Sequence, residues 1–342
     1  MRIDTVLGEV DIEEIERVLP HEHLLSFVPG PWLLGGPPRG SEEDVPNDHA
    51  VDLAVEQLEA VREFGFNLIL DLSPYGVVGR NESGSNSSLF AEISRRSGVH
   101  ICLGTSVYLE AFSPEWLRSL SRDEIAALFI RDLTAGIAQS SVRASVIGEQ
   151  ATGLDEITDF ERRCLLAACD AHKETGAPIF THTTHGSMAL EQIDIFSKEG
   201  IQLDKVVIGH MDIQPDREYT AKVLNSGASV ALDTIGKQYW EFFLAPKTTP
   251  DEEGEFNSRF YYRSDESRLE LLLYLIDQGF LDQILLAQDL TGAEAYLNPS
   301  THGSWGLNYL ARVFLPALLD LGISEEQITA LTRENPLRML SR

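Results

Sequence analysis

The chain has 342 residues, of which 43% are hydrophobic, and it carries a formal net charge of −27. This length suits one α/β barrel with insertions, and the apolar fraction is enough for a large core. Nucleic-acid binding requires a positively charged surface, which this composition does not offer. No stretch reaches the ~18 consecutive apolar residues of a membrane span. We therefore expect a single domain, residues 1–342, that binds neither nucleic acid nor membrane.

The amino-terminal segment and the cysteines both indicate a cytoplasmic protein. Residues Met1 to Glu14 lack the basic segment and the apolar segment of a secretory signal. Cys102, Cys164 and Cys169 are too few and too irregularly spaced for a disulfide framework or a zinc ribbon. We expect all three to be buried free thiols.

Short apolar runs alternate with longer helical stretches along most of the chain. The first run leads into Leu19-Pro20-His21, and the others are Leu68–Leu72, His100–Val107, Ser145–Ile147, Pro178–Phe180, Val206–Gly209, Ser229–Leu232 and Ile284–Ala287. Runs that are apolar on both faces are typical of buried parallel strands. Eight strand–helix repeats predict a (β/α)8 TIM barrel in the α/β class.

The helical stretches carry apolar residues at three- and four-residue steps. They are Asp48–Phe64, Glu161–Thr175, Arg268–Gln278 and Ser324–Thr332. Gly176 and Gly279 stand where the second and third should stop, as glycine often does after a helix.

Two connections are long enough to shape a pocket. Ser26 to Pro46 follows the first predicted strand, and Gly236 to Asp265 follows the seventh. The second is rich in aromatic residues around an acidic patch. Long loops after barrel strands usually form the active-site walls. Packing of these aromatics against a second subunit is an equal alternative.

Six residues have the type and position of metal ligands. His21 and His23 end the first predicted strand, where alternate residues project to the same face and can reach one ion. Four further ligand types stand at the carboxyl ends of other predicted strands: Glu149, His182, His210 and Asp289. In an α/β barrel that face carries the active site, so the sequence predicts a metal centre there.

The remaining histidines fit other roles. His172 and His49 lie in helical stretches and His100 begins a strand, so we expect them to be structural or at the surface. His185 and His302 lie in loops at the catalytic face, where contact with substrate is possible.

The motifs around these ligands resemble the phosphotriesterase family of the amidohydrolase superfamily. They are Pro20-His21-Glu22-His23, Thr181-His182-Thr183, Ile208-Gly209-His210, Leu285-Leu286-Ala287-Gln288-Asp289 and Glu334-Asn335-Pro336. The resemblance runs in register from about His21 to the end. It implies a barrel hydrolase that acts on a small molecule and forms a homodimer.

The resemblance also implies a centre of two divalent metal ions per chain, with zinc expected first and manganese or cobalt as alternatives. His21, His23 and Asp289 would hold the more buried ion, and His182 and His210 the more exposed one. Many family members bridge their metals with a carboxylated lysine, but no lysine occurs here between Arg143 and Lys173. Glu149 is therefore the bridging candidate, as in one branch of the family, and the centre should assemble without carbon dioxide.

In the implied mechanism a metal-bridging hydroxide attacks the substrate and Asp289 accepts the proton. Tyr108, after the third predicted strand, resembles a family pocket residue that orients the substrate; a packed aromatic at the barrel rim is the alternative. Asp212 is either an outer partner of a metal ligand or a solvated loop carboxylate.

The expected reaction is hydrolysis of a small lactone, either a sugar lactone or an acyl-homoserine lactone. Carboxylesters, phosphotriesters and N-acyl amides are the near alternatives, because family members act on all of these. The sequence contains no Gly-x-Ser-x-Gly elbow, P-loop or dinucleotide fingerprint. A non-catalytic metal-containing binding protein is the remote alternative.

Overall fold

The chain folds as a (β/α)8 barrel, which confirms the predicted fold class. A computed structural model describes residues 1–26, 47–77, 79–237, 264–292 and 306–341. Eight strands form one sheet in which each pairs in parallel with its sequence neighbour. These strands are β3 (Arg17–Glu22), β4 (Phe66–Asp71), β5 (His100–Thr105), β6 (Val146–Thr152), β7 (Ile179–Thr183), β8 (Val206–Ile208), β9 (Ser229–Leu232) and β10 (Ile284–Leu286).

Helices follow the strands and cover the outside of the sheet. They are α1 (Asn47–Arg62), α2 (Leu89–Ser97), α3 (Glu115–Arg118), α4 (Arg122–Thr134), α5 (Asp159–Thr175), α6 (Ala189–Lys198), α7 (Arg217–Asn225), α8 (Asp265–Asp277), α9 (Leu315–Asp320), α10 (Glu325–Thr329) and α11 (Asn335–Leu340). Capping explains several of their bounds. Thr158 precedes α5 and its side chain accepts from the Glu161 amide, and Gly176, in the left-handed conformation, follows the last residue of the helix.

The barrel strands alternate between two buried faces. In β4, Leu68 and Leu70 point into the barrel interior, whereas Ile69 packs beneath the helices. Both faces are apolar because a parallel sheet in a barrel is covered on both sides. This is why the sequence shows continuous apolar runs.

Hydrogen bonds at the carboxyl ends close the barrel between β3 and the residues after β10. The Asp289 amide donates to the His21 carbonyl (3.0 Å), and the His23 amide donates to the Leu290 carbonyl (2.9 Å). The side chain of Glu22 accepts from the flanking amides of Gln288 (3.0 Å) and Leu290 (2.8 Å). The closure therefore fixes two predicted metal-ligand segments against each other.

A two-stranded antiparallel hairpin, β1 (Arg2–Thr5) and β2 (Gly8–Asp11), precedes the barrel. Its Ile3 and Val10 join the apolar cluster inside the barrel. The hairpin was not predicted because each strand has four residues and buries too few apolar side chains to form a pattern.

The predictions about the cysteines, membrane spans and long loops can also be compared with the structure. Cys102, Cys164 and Cys169 are buried free thiols, as expected. Among the described helices none is long and apolar enough to cross a membrane. Most of both long predicted loops (residues 27–46 and 238–263), together with His302, lies outside the described residues.

Candidate metal centre

The six predicted ligands converge at the carboxyl ends of five barrel strands. His21 belongs to β3 and His23 follows it, Glu149 lies in β6, His182 lies in β7, His210 follows β8, and Asp289 follows β10. Glu149 and His182 lie within strands rather than just after them, because β6 and β7 extend further than their apolar runs. All six residues are buried or nearly so.

Glu149 is the centre of this arrangement. Its carboxylate lies 3.3 Å from His182 Nδ1, 3.5 Å from the Nε2 atoms of His21 and His23, and 3.6 Å from His210 Nε2. Two groups with converging ligand atoms share it: His21 and His23 on one side, and His182 and His210 on the other. This geometry suits a carboxylate that bridges two ions.

The chemistry of the donor set fits divalent metal ions. Glu149 Oε2 and His21 Nε2 are buried, yet neither has a hydrogen-bond partner among the residues that the structure describes. Buried polar atoms without partners cost free energy unless something binds them. Imidazole and carboxylate groups that converge on one point are typical ligands for zinc and related ions.

Each histidine has an outer partner on the ring nitrogen that faces away from the other ligands. Asp233 serves two of them, through Oδ2 to His21 Nδ1 (2.7 Å) and through Oδ1 to His210 Nδ1 (2.9 Å). Ser73 Oγ lies 3.1 Å from His23 Nδ1, and Thr184 Oγ1 lies 3.3 Å from His182 Nε2. Such partners fix the ring orientation and tautomer of metal-binding histidines.

Asp233→Asn should weaken metal binding because an amide cannot accept hydrogen bonds from both imidazoles. The expected loss in metal affinity is ~10–100-fold, as for other outer partners of ligand histidines. Equilibrium dialysis against zinc measures it. Asp194→Asn is the matched control, because that carboxylate is exposed and pairs only with Lys198 among the described contacts. Equal zinc affinity in the two variants would contradict the role of Asp233.

Asp212 contacts the backbone at Asp233, the outer partner of two histidines, rather than a predicted metal ligand. Its carboxylate is buried, accepts from the backbone amides of Asp233 and Thr234, and pairs with Arg268 at 2.6 Å. The solvated-loop alternative is therefore wrong, and these contacts place Asp212 one step further from the predicted metal ligands than the sequence suggested. The outer partner of His21 and His210 is instead Asp233, whose position directly after β9 places it at the catalytic face.

Lys237 also enters the site although the sequence analysis missed it. Its side chain is 1% exposed, and its ammonium group donates to Asp289 Oδ2 at 2.9 Å and to the Asp289 carbonyl. Asp289 and His210 both have left-handed backbones, with φ of 50° and 58°. Non-glycine residues in that conformation are uncommon and cluster at functional sites.

Charges within the cluster shift several pKa values. Burial opposes protonation of His210, but Asp233 and Glu149 outweigh it and raise the pKa of His210 to about 10. Burial raises the pKa of Glu149, yet the surrounding histidines hold it well below the ordinary range. Burial acts in the same direction on Asp289, and Lys237 with the histidines holds its pKa far below the usual value. The carboxylates are thus ionised and ready to bind cations.

Close packing places Glu149. A Cβ atom on the preceding residue, Gly148, would lie 2.6 Å from the Phe180 Cβ, and one on Gly104 would lie 2.0 Å from the Gly148 carbonyl oxygen. Only glycine permits such an approach between neighbouring strands.

A cavity of about 680 Å³ opens over the cluster. Its walls include Tyr108, Phe112, Leu154 and Ile213, and Glu149 and Asp289 lie among its lining residues.

The ring of Tyr108 lies edge-on to the ring of His182, with 5.0 Å between the ring centroids. Burial raises the pKa of Tyr108 well above its ordinary value, which keeps the phenol protonated. Both predicted interpretations of Tyr108 fit this position, and His185 lines the same cavity.

Comparison with known proteins identifies the family. The model of the phosphotriesterase family matches residues 1–340. The chain belongs to the phosphotriesterase family. Members of this family are metal-dependent hydrolases, and the His/Glu clusters described above are able to bind metal ions.

Individual relatives support the same assignment. The phosphotriesterase homology protein of Escherichia coli is 32% identical over 253 residues, which cover 74% of this chain and 78% of that protein. The N-acetyltaurine hydrolase of Danio rerio is 26% identical, and the match covers 99% of this chain and 98% of that protein. A solved structure described as engineering of organophosphate hydrolysis activity from a weak promiscuous lactonase template has a TM-score of 0.79 and 28% identity, with full coverage of both chains.

Proposed function

We propose that this phosphotriesterase-family hydrolase uses two divalent metal ions, zinc in the first instance, to hydrolyse a small lactone. The observation that carries the proposal is Glu149, which two clusters of histidine ligands share. A carboxylate has two oxygens and bridges two cations as the carbamate of other family members does. The likeness to a structure described as a lactonase template supports the choice of lactone.

The candidate ligands fall into two sets, one for each proposed metal ion. His21, His23 and Asp289 would hold one ion, His182 and His210 the other, and Glu149 both. Bound ions of this kind polarise a carbonyl and lower the pKa of a water from 15.7 to ~7. Asp289, which lines the cavity as an ionised carboxylate, would accept a proton from the attacking water. The protonated Tyr108 phenol can donate a hydrogen bond to the substrate.

The cavity favours a compact substrate with an apolar part. A cavity of about 680 Å³ is within the size range of small-molecule sites, and aromatic and aliphatic side chains form much of its wall. An acyl chain or a sugar ring fits this volume.

Hydrolysis of an N-acyl amide is the second candidate. It is favoured by the relatives named N-acetyltaurine hydrolase, which match over almost the whole chain. A small amide and a small lactone share the tetrahedral reaction course, so the metal centre serves both.

Metal analysis combined with a substrate panel tests the proposal. Protein purified without added metal should contain about two divalent ions per chain by elemental analysis. Lactone hydrolysis should disappear on chelation and return with zinc or manganese. Lactones, carboxylesters, N-acyl amides and a phosphotriester are assayed side by side. Two ions without lactonase activity would transfer the proposal to whichever ester or amide reacts, and no metal after reconstitution would refute it.

A further inference from the structure

Lys237 makes a contact that the family resemblance did not indicate. It ends the turn after β9, where its amide donates to the Thr234 carbonyl at 3.1 Å, and its side chain is buried at the edge of the cavity. The ammonium group donates both to the main-chain carbonyl and to the Oδ2 of Asp289. One lysine thus holds two parts of a single predicted metal ligand.

The two carboxylate oxygens of Asp289 face different groups. Oδ1 lies 3.0 Å from His23 Nε2 and 3.6 Å from His21 Nε2, on the side of the predicted metal ligands. Oδ2 accepts a hydrogen bond from the ammonium nitrogen of Lys237, at 2.9 Å. The backbone of Asp289 is fixed independently, because Glu22 accepts from the amides on both sides of it. The side-chain rotation is therefore set by two contacts, that of Lys237 with Oδ2 and that of His23 with Oδ1.

We propose that Lys237 is a positioning residue that withholds Oδ2 of Asp289 from the metal, so that this carboxylate binds through Oδ1 alone. This role rests on the metal centre of the proposed function. Carboxylates bind cations through one oxygen or through both, and an oxygen that accepts a strong, charge-assisted hydrogen bond already has a partner that competes with the metal. With Oδ2 free of the metal, one oxygen of this cavity-lining carboxylate remains available to accept a proton.

Two other roles for Lys237 make different predictions. A lysine that only neutralises the buried carboxylate would be replaced by any cation of suitable size. A lysine that binds an anionic group of the substrate would affect KM and leave the ligation of the metal unchanged. A positioning lysine has to donate hydrogen bonds, and its loss changes the metal coordination before any substrate binds.

The experiment uses Lys237→Ala and Lys237→Met in cobalt-loaded protein. Loss of the donor should let both oxygens of Asp289 bind, which raises the coordination number and weakens the visible cobalt absorption. In parallel, kcat should fall ~100-fold, the size of effect that a 1 Å misplacement produces, while KM changes little. Propylammonium should restore both the spectrum and kcat of Lys237→Ala, whereas tetramethylammonium, which has no donor, should restore neither. Lys198→Ala, at an exposed ion pair, is the control.

Three results would overturn the proposal. Unchanged cobalt spectra in both variants would show that Lys237 does not set the ligation of Asp289. Equal rescue by tetramethylammonium would reduce its role to charge, and an increase in KM at constant kcat would make it a substrate-binding residue. The spectra need no substrate, so failure of the lactone assignment leaves this test intact. The Met variant preserves side-chain length, which keeps the test valid if the Ala variant folds poorly.

Discussion

Glu149→Gln should remove nearly all hydrolytic activity and most of the bound metal. Glu149 lies within 3.6 Å of all four histidines of the predicted ligand set, and the change keeps its shape while removing the negative charge that both predicted ions share. Loss of an outer partner of a metal ligand already costs ~10–100-fold in metal affinity, so loss of a bridging ligand should cost more. Elemental analysis after dialysis and an assay with the best substrate measure the two effects.

Glu174→Gln, an exposed change in α5, controls for handling of the protein. A Glu149→Gln protein that retains two ions per chain would show that the histidines and Asp289 suffice and that Glu149 does not bridge.

The effect of bicarbonate provides a separate test of the glutamate bridge. Reconstitution of metal-free wild type with zinc should not depend on bicarbonate, because a glutamate bridge needs no carbon dioxide. A strong increase with bicarbonate would contradict the glutamate bridge.

The barrel was predictable because burial on both faces of each strand leaves a continuous apolar run in the sequence. Strand β9 matches its predicted bounds, and β8 differs by one residue. The carboxyl ends were less accurate. β6 and β7 continue through polar residues that hydrophobicity does not mark as strand, such as Gln150 and Thr183. Both residues are nevertheless fully buried.

The convergence of the six candidate ligands was predictable by one rule: a side chain of metal-binding type at the end of a barrel strand lies on the catalytic face. The same rule applied to β9 would have found Asp233, which immediately follows Leu232. It was overlooked because the carboxylate two residues past His210 offered a nearer partner in sequence. Asp212 instead supports the backbone at Asp233, a contact across 21 positions that no local pattern encodes.

Glu22 and Lys237 show what sequence patterns leave out. Glu22 lies between two ligand histidines, so it projects to the opposite face of β3, and its partners are amides 266 and 268 positions away. Lys237 follows a glycine in a turn that has no apolar periodicity. Each acts on Asp289 through tertiary contacts that exist only once β3, β9 and β10 meet. Their roles follow from the closure of the barrel rather than from local sequence.

Asp289→Asn should separate catalysis from metal binding. The amide keeps one oxygen, which can take the position of Oδ1, so the ion held with His21 and His23 should remain largely bound. The amide nitrogen then replaces Oδ2, and the Lys237 ammonium retains only the main-chain carbonyl of residue 289 as an acceptor. The amide cannot accept a proton, and general acid–base catalysis contributes typically ~10²–10⁴-fold. We therefore expect kcat to fall by that amount while the metal content stays near the wild-type value. Steady-state kinetics and elemental analysis on the same samples measure both quantities.

The outcome for Asp289→Asn also decides between an enzyme and a binding protein. Asp277→Asn, an exposed carboxylate at the end of α8, should change neither quantity. If the Asp289 variant loses its metal together with its activity, then Asp289 is mainly a structural ligand and the proton acceptor lies elsewhere in the cavity. If it keeps full turnover, the general-base assignment is wrong. A fall in kcat with retained metal is expected only if the chemistry of a bound substrate depends on this carboxylate, which a non-catalytic barrel would not show.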